Sequence, residues 1–318
     1  MFEPILLPKP WGGHKLARFK GLAGQAGAWG ESWELFDGPQ GSSVIANGPL
    51  MHRSLKDLQG VYGAAALGWG PAGLPLMVKF IDAAEDLSVQ VHPDDALAAE
   101  LHQEPRGKSE LWVVLEAEPG ASVCGGLRPG TTQADLRAAL RAGDLEPLRH
   151  RYPVQAGDCV DVPAGLVHSL GAGCLVAEIQ QSSDRTYRLH DFNRMVAGVR
   201  RPLHLDEGLR AVDFSPALQG LGPLKPRPLP CGSGALESIC EGPHFFVRRL
   251  GLRRDFPRPG LAPGFAVLVA LGGSAELRGP AEPLRLERGA TCLVPAGLDW
   301  SLRPGPGGAE LLWAGIPA

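Results

Sequence analysis

The chain is predicted to be mainly β, built as two related β-barrel domains with a few inserted helices. Three observations carry this reading. Short apolar or alternating runs recur along the sequence and are separated by turn dipeptides, the pattern of an all-β fold. The 43 glycines and 30 prolines follow no period in a chain that is 44% hydrophobic, so they mark turns and not disorder or a fibrous repeat. Finally, one segment echoes another. Gly157-Asp-Cys-Val-Asp-Val-Pro-Ala-Gly-Leu-Val-His168 and Gly289-Ala-Thr-Cys-Leu-Val-Pro-Ala-Gly-Leu-Asp-Trp300 share the spacing G-x5-P-x-G-x2, with Trp300 in place of His168. Each reads as a turn, a strand and a tight Pro/Gly turn.

The elements follow in order. Ser54-Leu-Lys-Asp57 resembles a capping box ahead of an Ala-rich helix reaching Ala66. Strands are expected at Leu76–Asp82, Leu87–His92, Leu111–Leu115, Ala121–Cys124, Cys159–Val162 and Cys174–Gln180. Pro93 to His102 reads as a helix with proline near its start. Thr132 to Arg141 reads as a second, with Leu136 and Leu140 one turn apart and Gly143 as its stop. A Pro/Gly-rich stretch, 221–234, is expected to link an N-terminal domain, 1–220, to a C-terminal domain, 235–318.

Composition also excludes. A net charge of −3 gives no footprint for nucleic acid or an anionic membrane. No apolar run approaches the roughly 20 residues that span a bilayer. Residues 1–10 lack a basic segment followed by an apolar one, so no secretory leader is expected. Six cysteines without a C-x-x-C pair suggest free thiols in a reducing cytoplasm.

Leu87-Ser-Val-Gln-Val-His-Pro-Asp-Asp95 is the most informative stretch. Its alternation puts Leu87, Val89 and Val91 on one face of a half-buried strand and Ser88, Gln90 and His92 on the other. A Gln and a His two apart can both reach one metal ion. Each also has a plain structural reading: His92 could cap the helix after it, and a strand Gln is usually solvated or bonded to a neighbour.

G-x5-P-x-G-x2-H resembles the second half of the cupin signature, which implies jelly-roll barrels. The likeness tightens further. The stretch 87–95, Gly107-Lys-Ser-Glu-Leu-Trp112, Val162-Pro-Ala-Gly-Leu-Val-His168 and Glu178-Ile-Gln-Gln-Ser-Ser-Asp-Arg-Thr-Tyr-Arg188 are similar, in order and near spacing, to motifs of class I mannose-6-phosphate isomerases. The resemblance is to the short bacterial form. It extends over Phe2 to about Arg200, with Pro10-Trp-Gly-Gly13 and Glu31-Ser-Trp-Glu34, and fades beyond. It implies one zinc ion held by Gln90, His92, Glu110 and His168, and a catalytic Arg188. Lys108-Ser109-Glu110 departs from the Lys-Pro-Glu of longer forms but keeps both charged residues.

The implied reaction is zinc-dependent interconversion of mannose 6-phosphate and fructose 6-phosphate through an enediolate. A cation with neutral and carboxylate ligands can polarise the sugar carbonyl, whereas thiolates would close the site. Arg188 stays protonated and would steady an oxyanion. Glu178 is the candidate carbon base, with a metal-bound hydroxide as rival and a ligand-orienting role as alternative. Lys108 and Lys79 are candidate partners of the phosphate, Ser88 a hydrogen-bond donor and Arg185 a weaker candidate. Trp11 and Trp33 are read as packing residues, and the other seven histidines as surface or packing. The expected partner is a small sugar phosphate, and the sequence leaves oligomeric state open. Two other readings remain: an Fe(II) dioxygenase, which Gln90 and Arg188 oppose, and a sugar-phosphate-binding protein without turnover.

Overall fold

The structure, a computed structural model, describes residues 1–22, 27–257 and 264–317. Three sheets dominate. An inner six-stranded sheet runs in the order Ile5–Leu7, Glu31–Leu35, Leu76–Ala83, Cys174–Gln181, Glu110–Ala117, Cys159–Val162. An outer five-stranded sheet runs Tyr187–His190, Val89–Val91, His168–Leu170, Ser122–Leu127, Arg149–Pro153. Residues from Arg227 to Gly315 build an eight-stranded C-terminal sheet. Among the described residues, every strand pairing within these three is antiparallel, so short turns suffice as connections. The result is the mainly-β, cupin-like architecture the sequence predicts.

The layers decide burial. Ile81, Trp112 and Val114 of the inner sheet meet Val123 and Leu170 of the outer one in one core. The opposite face of the inner sheet, with Val78, Phe80, Leu111 and Ala177, packs on Val247, Val267 and Leu312 of the C-terminal sheet. Both faces of the inner sheet are therefore covered, and strands 76–83 and 174–181 are buried along their whole length. The outer sheet turns Val89, Val91 and Leu189 toward a helical layer containing Leu136 and Leu209. Strand Val89–Val91 is thus not half-solvated: its polar face looks into the molecule. Leu87, expected beside Val89 and Val91, precedes the strand and joins the inter-sheet core instead.

The helices show their signals at work. Ser54 Oγ accepts from Asp57 N–H at 3.0 Å while the Asp57 carboxylate accepts from Ser54 N–H at 2.9 Å. That helix stops at Tyr62, because Gly63 breaks the Ala-rich run and leaves a separate turn, Ala64–Leu67. Thr132 and Asp135 repeat the box ahead of Gln133–Ala142, which Gly143 ends in the left-handed region. The helix expected from Pro93 begins later, at Asp95. Asp94 is its cap, taking the Leu97 N–H at 2.8 Å, so proline stands outside the helix. No helix among the described residues is long and apolar enough to cross a membrane.

The stretch 221–234 is tied down at both ends. Leu221 and Leu224 N–H groups donate to the Gly125 and Cys159 carbonyls at 2.9 and 2.7 Å. Arg227–Leu229 already pairs with residues 236–238. Lys20 adds a buried tie between the halves, donating to Glu34 at 2.7 Å and to the Gly289 carbonyl at 2.8 Å.

The echo is structural as well. Gly157 N–H donates to Val114 O at 2.8 Å and Val114 N–H to Asp158 O at 2.9 Å. Gly289, Ala270 and Ala290 repeat this pair of bonds at 2.8 and 2.9 Å. Glu110 then lies opposite Val162 just as Ala266 lies opposite Val294.

Candidate active site and metal centre

The two N-terminal sheets face each other across the site. Register aligns a row on the inner sheet: Glu178 lies opposite Lys79 on one side and Trp112 on the other. On the outer sheet Gln90 lies between His168 and Arg188. Two glycines let the connecting turns close. A Cβ on Gly107 would stand 2.4 Å from the Pro93 carbonyl, so only glycine lets segment 107–110 press against the residues after His92. Gly165, at φ +86°, turns the chain so that its N–H donates to the His92 carbonyl at 3.0 Å, three residues before His168.

At the centre His92 Nε2 is 3.1 Å from Glu110 Oε1, and His168 Nε2 is 3.9 Å from Glu110 Oε2. The three ligand-type atoms lie within 4.8 Å of one another, and all three residues are buried. Each imidazole commits its far nitrogen: His92 Nδ1 to the Arg185 carbonyl at 2.8 Å, His168 Nδ1 to the Leu166 carbonyl at 2.9 Å. These bonds put the proton on Nδ1 and leave both Nε2 lone pairs facing inward, the tautomer a metal ligand needs. Gln90 Nε2 stands 3.2 Å from His168 Nε2, and its Oε1 accepts from Ser88 Oγ at 3.2 Å. A half-turn of the amide exchanges the two atoms and aims the oxygen inward.

Electrostatics favour a cation here. His92 Nε2 and both Glu110 oxygens are buried without a hydrogen-bond partner, and only Oε1 has an ion pair with a lysine, Lys108, a costly arrangement unless a further cation meets them. Burial, with the neighbouring His92, pushes the His168 imidazole down to about 3. Burial and the Lys108 charge press His92 down as well. Burial alone would lift the Glu110 carboxyl, but Lys108, 2.9 Å away, and the two imidazoles hold it well below the ordinary range. Neutral imidazoles around a carboxylate fit a divalent ion of the zinc type.

A cavity of about 340 Å³ opens beside this centre, lined by Ser88, Gln90, Lys108, Glu110, Glu178 and Arg188 among others. Glu178 is fully enclosed. Trp112 Nε1 donates to its Oε2 at 2.8 Å, while Oε1 has no hydrogen-bond partner. Burial and the Glu110 charge push its carboxyl up to about 7. Arg188 donates through Nη1 to the Pro202 carbonyl at 2.8 Å, and its backbone N–H to His204 Nδ1 at 3.1 Å. It pairs with neither Asp184 nor Asp191.

Lys79 also lines the cavity, but its charge is engaged: Nζ is 2.8 Å from Asp184 and 3.9 Å from Glu178, above the ring of Trp33. Arg185 lines the cavity too, with its guanidinium bonded to Glu104. The cavity-lining residues that escape sequence reasoning include Trp11, His102, His204 and Arg201. The sequence marks Trp11 as packing and the two histidines as surface or packing, and nothing local in it marks Arg201.

Residues 6–111 match the model of the phosphomannose isomerase type I catalytic domain. A mannose-6-phosphate isomerase of Streptococcus mutans is 32% identical over 303 residues, 93% of each chain. The mannose-6-phosphate isomerase ManA of Bacillus subtilis is 35% identical over 213 residues, 67% of each. The crystal structure of a Bacillus subtilis mannose 6-phosphate isomerase superposes with a TM-score of 0.90 at 27% identity, covering 99% of this chain and 98% of that one. Fold, motifs and relatives coincide: the chain belongs to the type I phosphomannose isomerases.

Proposed function

We propose that the chain is a zinc-dependent aldose–ketose isomerase that interconverts mannose 6-phosphate and fructose 6-phosphate through an enediolate. One observation carries this: the buried His92–Glu110–His168 cluster opens through Glu110 onto the same cavity that the enclosed Glu178 carboxyl lines. His92, His168, Glu110 and Gln90 would hold a zinc ion, which would supply Lewis-acid polarisation of the sugar carbonyl. Glu178 Oε1, free of a hydrogen bond, takes the proton from C2 of the aldose and returns it to C1, while the hydroxyl proton passes from O2 to O1. Trp112 holds the other oxygen of that carboxylate and so fixes its orientation. Arg188 steadies charge developing on the sugar oxygen. Ser88 orients Gln90, and Lys108 sets the charge of Glu110 while facing substrate. Lys79 is placed to bias the Glu178 proton through charge.

The free cysteines favour the cytoplasm as its compartment. The proposed division of the chain is a catalytic part, 1–220, a connection, 221–234, and a C-terminal part, 235–318, without metal. Ala266 and Trp300 occupy the places of Glu110 and His168 there.

The test is a coupled assay of fructose 6-phosphate formation before chelation, after chelation and after zinc is restored. Activity that vanishes and returns supports the reading. Inactive protein carrying a full complement of zinc overturns it.

A further inference from the structure

The cavity holds several cations, and most are already matched. Lys79 is paired with Asp184, Lys108 with Glu110, Lys9 with Glu31 at 3.0 Å and Arg185 with Glu104. The exception lies along one wall. Among the described residues, no carboxylate is within ion-pair reach of Arg188, and its Nε is buried without a partner. Beside it, Arg194 and Arg201 share the single carboxylate of Asp191. Arg194 also reaches Glu85, a mostly exposed group, at 3.5 Å. Three guanidinium groups thus face two carboxylates. Burial and the charge of Arg201, opposed by Asp191, leave the Arg188 guanidinium below its ordinary range.

Arg201 is built to stay in place. Nε donates to Asp191 Oδ2 at 2.8 Å and Nη2 to Asp191 Oδ1 at 2.7 Å, a two-pronged grip. Its guanidinium stacks 5.1 Å from the ring centroid of Trp11, itself 6% exposed. That grip leaves Nη1 uncommitted, and Arg201 lines the cavity whereas Arg194 does not. A fixed, under-neutralised guanidinium at the cavity wall suits a dianionic monoester, which accepts paired N–H bonds.

We propose that Arg201, anchored by Asp191 and Trp11, binds the phosphate group of the substrate and thereby sets the preference for phosphorylated over free sugar. This rests on the sugar-phosphate isomerase reading above. It assigns the phosphate to the Arg201 wall and leaves Lys79 to its pair with Asp184.

The experiment uses the zinc-loaded enzyme and compares Arg201→Gln, Arg201→Lys and Arg194→Gln with the parent. Steady-state kinetics with mannose 6-phosphate are combined with calorimetric titration of inorganic phosphate. Losing a hydrogen-bonded charge at the ligand predicts a KM, and a phosphate dissociation constant, raised roughly 10- to 100-fold in Arg201→Gln, with kcat little changed. Arg201→Lys keeps the charge but not the fork and falls between. Arg194→Gln, which loses the same Asp191 partner, leaves phosphate affinity near that of the parent.

Unchanged phosphate affinity in both Arg201 variants overturns the proposal, as does an equal loss in Arg194→Gln. Phosphate titration also separates the two readings. A parent enzyme that fails to turn over mannose 6-phosphate sinks the isomerase reading, yet titration still decides whether Arg201 binds phosphate.

Discussion

Trp112→Phe isolates the proton-transfer group more cleanly than removing it. The indole N–H is the hydrogen-bond donor to Glu178 Oε2, at 2.8 Å, and Oε1 has no hydrogen-bond partner. Phenylalanine keeps a ring against His168, whose centroid is 5.5 Å away, so the metal side of the site keeps its packing. A hydrogen bond to a charged group contributes about 1.5 kcal/mol or more, and its loss raises the carboxyl pKa by about one unit. If Glu178 must be ionised to take the sugar proton, the acid limb of the kcat–pH profile moves up by that amount. At the parent's midpoint, turnover then falls roughly fivefold and recovers at higher pH. The assay is kcat against pH with zinc content checked at each point. A limb that stays put while zinc and fold are retained refutes Glu178 as the base.

Other outcomes follow from the same geometry. In chelated protein, Glu178→Gln stabilises at pH 8 by roughly 3 kcal/mol and not at all below pH 4.5. The sign follows because a carboxyl raised from 4.5 to about 7 favours the fold while protonated and loses that advantage as pH climbs through 7. Denaturant midpoints at the two pH values check this, and a pH-independent difference contradicts it. His168→Ala loses both bound zinc and turnover, as measured by metal analysis and the coupled assay. One retained equivalent of zinc removes His168 from the ligand set. Arg188→Ala keeps its zinc but lowers kcat about 10²- to 10³-fold, and unchanged turnover excludes it from the chemistry.

Local signals were the legible part of the fold. Ser54, Thr132 and Gly143 bond within a few residues of themselves, so their roles are written in short spacings. Strands also announced themselves by composition, although burial on both faces blurred their alternation. The metal candidates were readable for another reason: Gln90 sits in strand Val89–Val91 with His92 directly after it, while Glu110 and His168 sit in motifs of recognisable form. What escaped is what depends on distant partners. Lys79 meets Asp184 across 105 positions, and no period in the sequence signals that pair. The Arg194–Asp191–Arg201 cluster depends on a chain reversal whose charge balance appears only once Trp11, near the other end of the domain, is brought beneath it.

The duplicated hairpin gives the molecule a built-in reference. In its first copy, Glu110, with His92 beside it, leaves buried atoms that call for a cation. In its second, Ala266 and Trp300 belong to a continuous apolar cluster, with Trp300 packed edge-on against Trp313 at 5.6 Å. Chelation should therefore loosen the chain unevenly. Amide exchange should quicken in the strands around Gln90 and His168 and stay slow in Thr291–Val294, whose packing never depended on an ion. One polypeptide would thus report both the cost of housing a metal and the behaviour of the same scaffold freed from that demand.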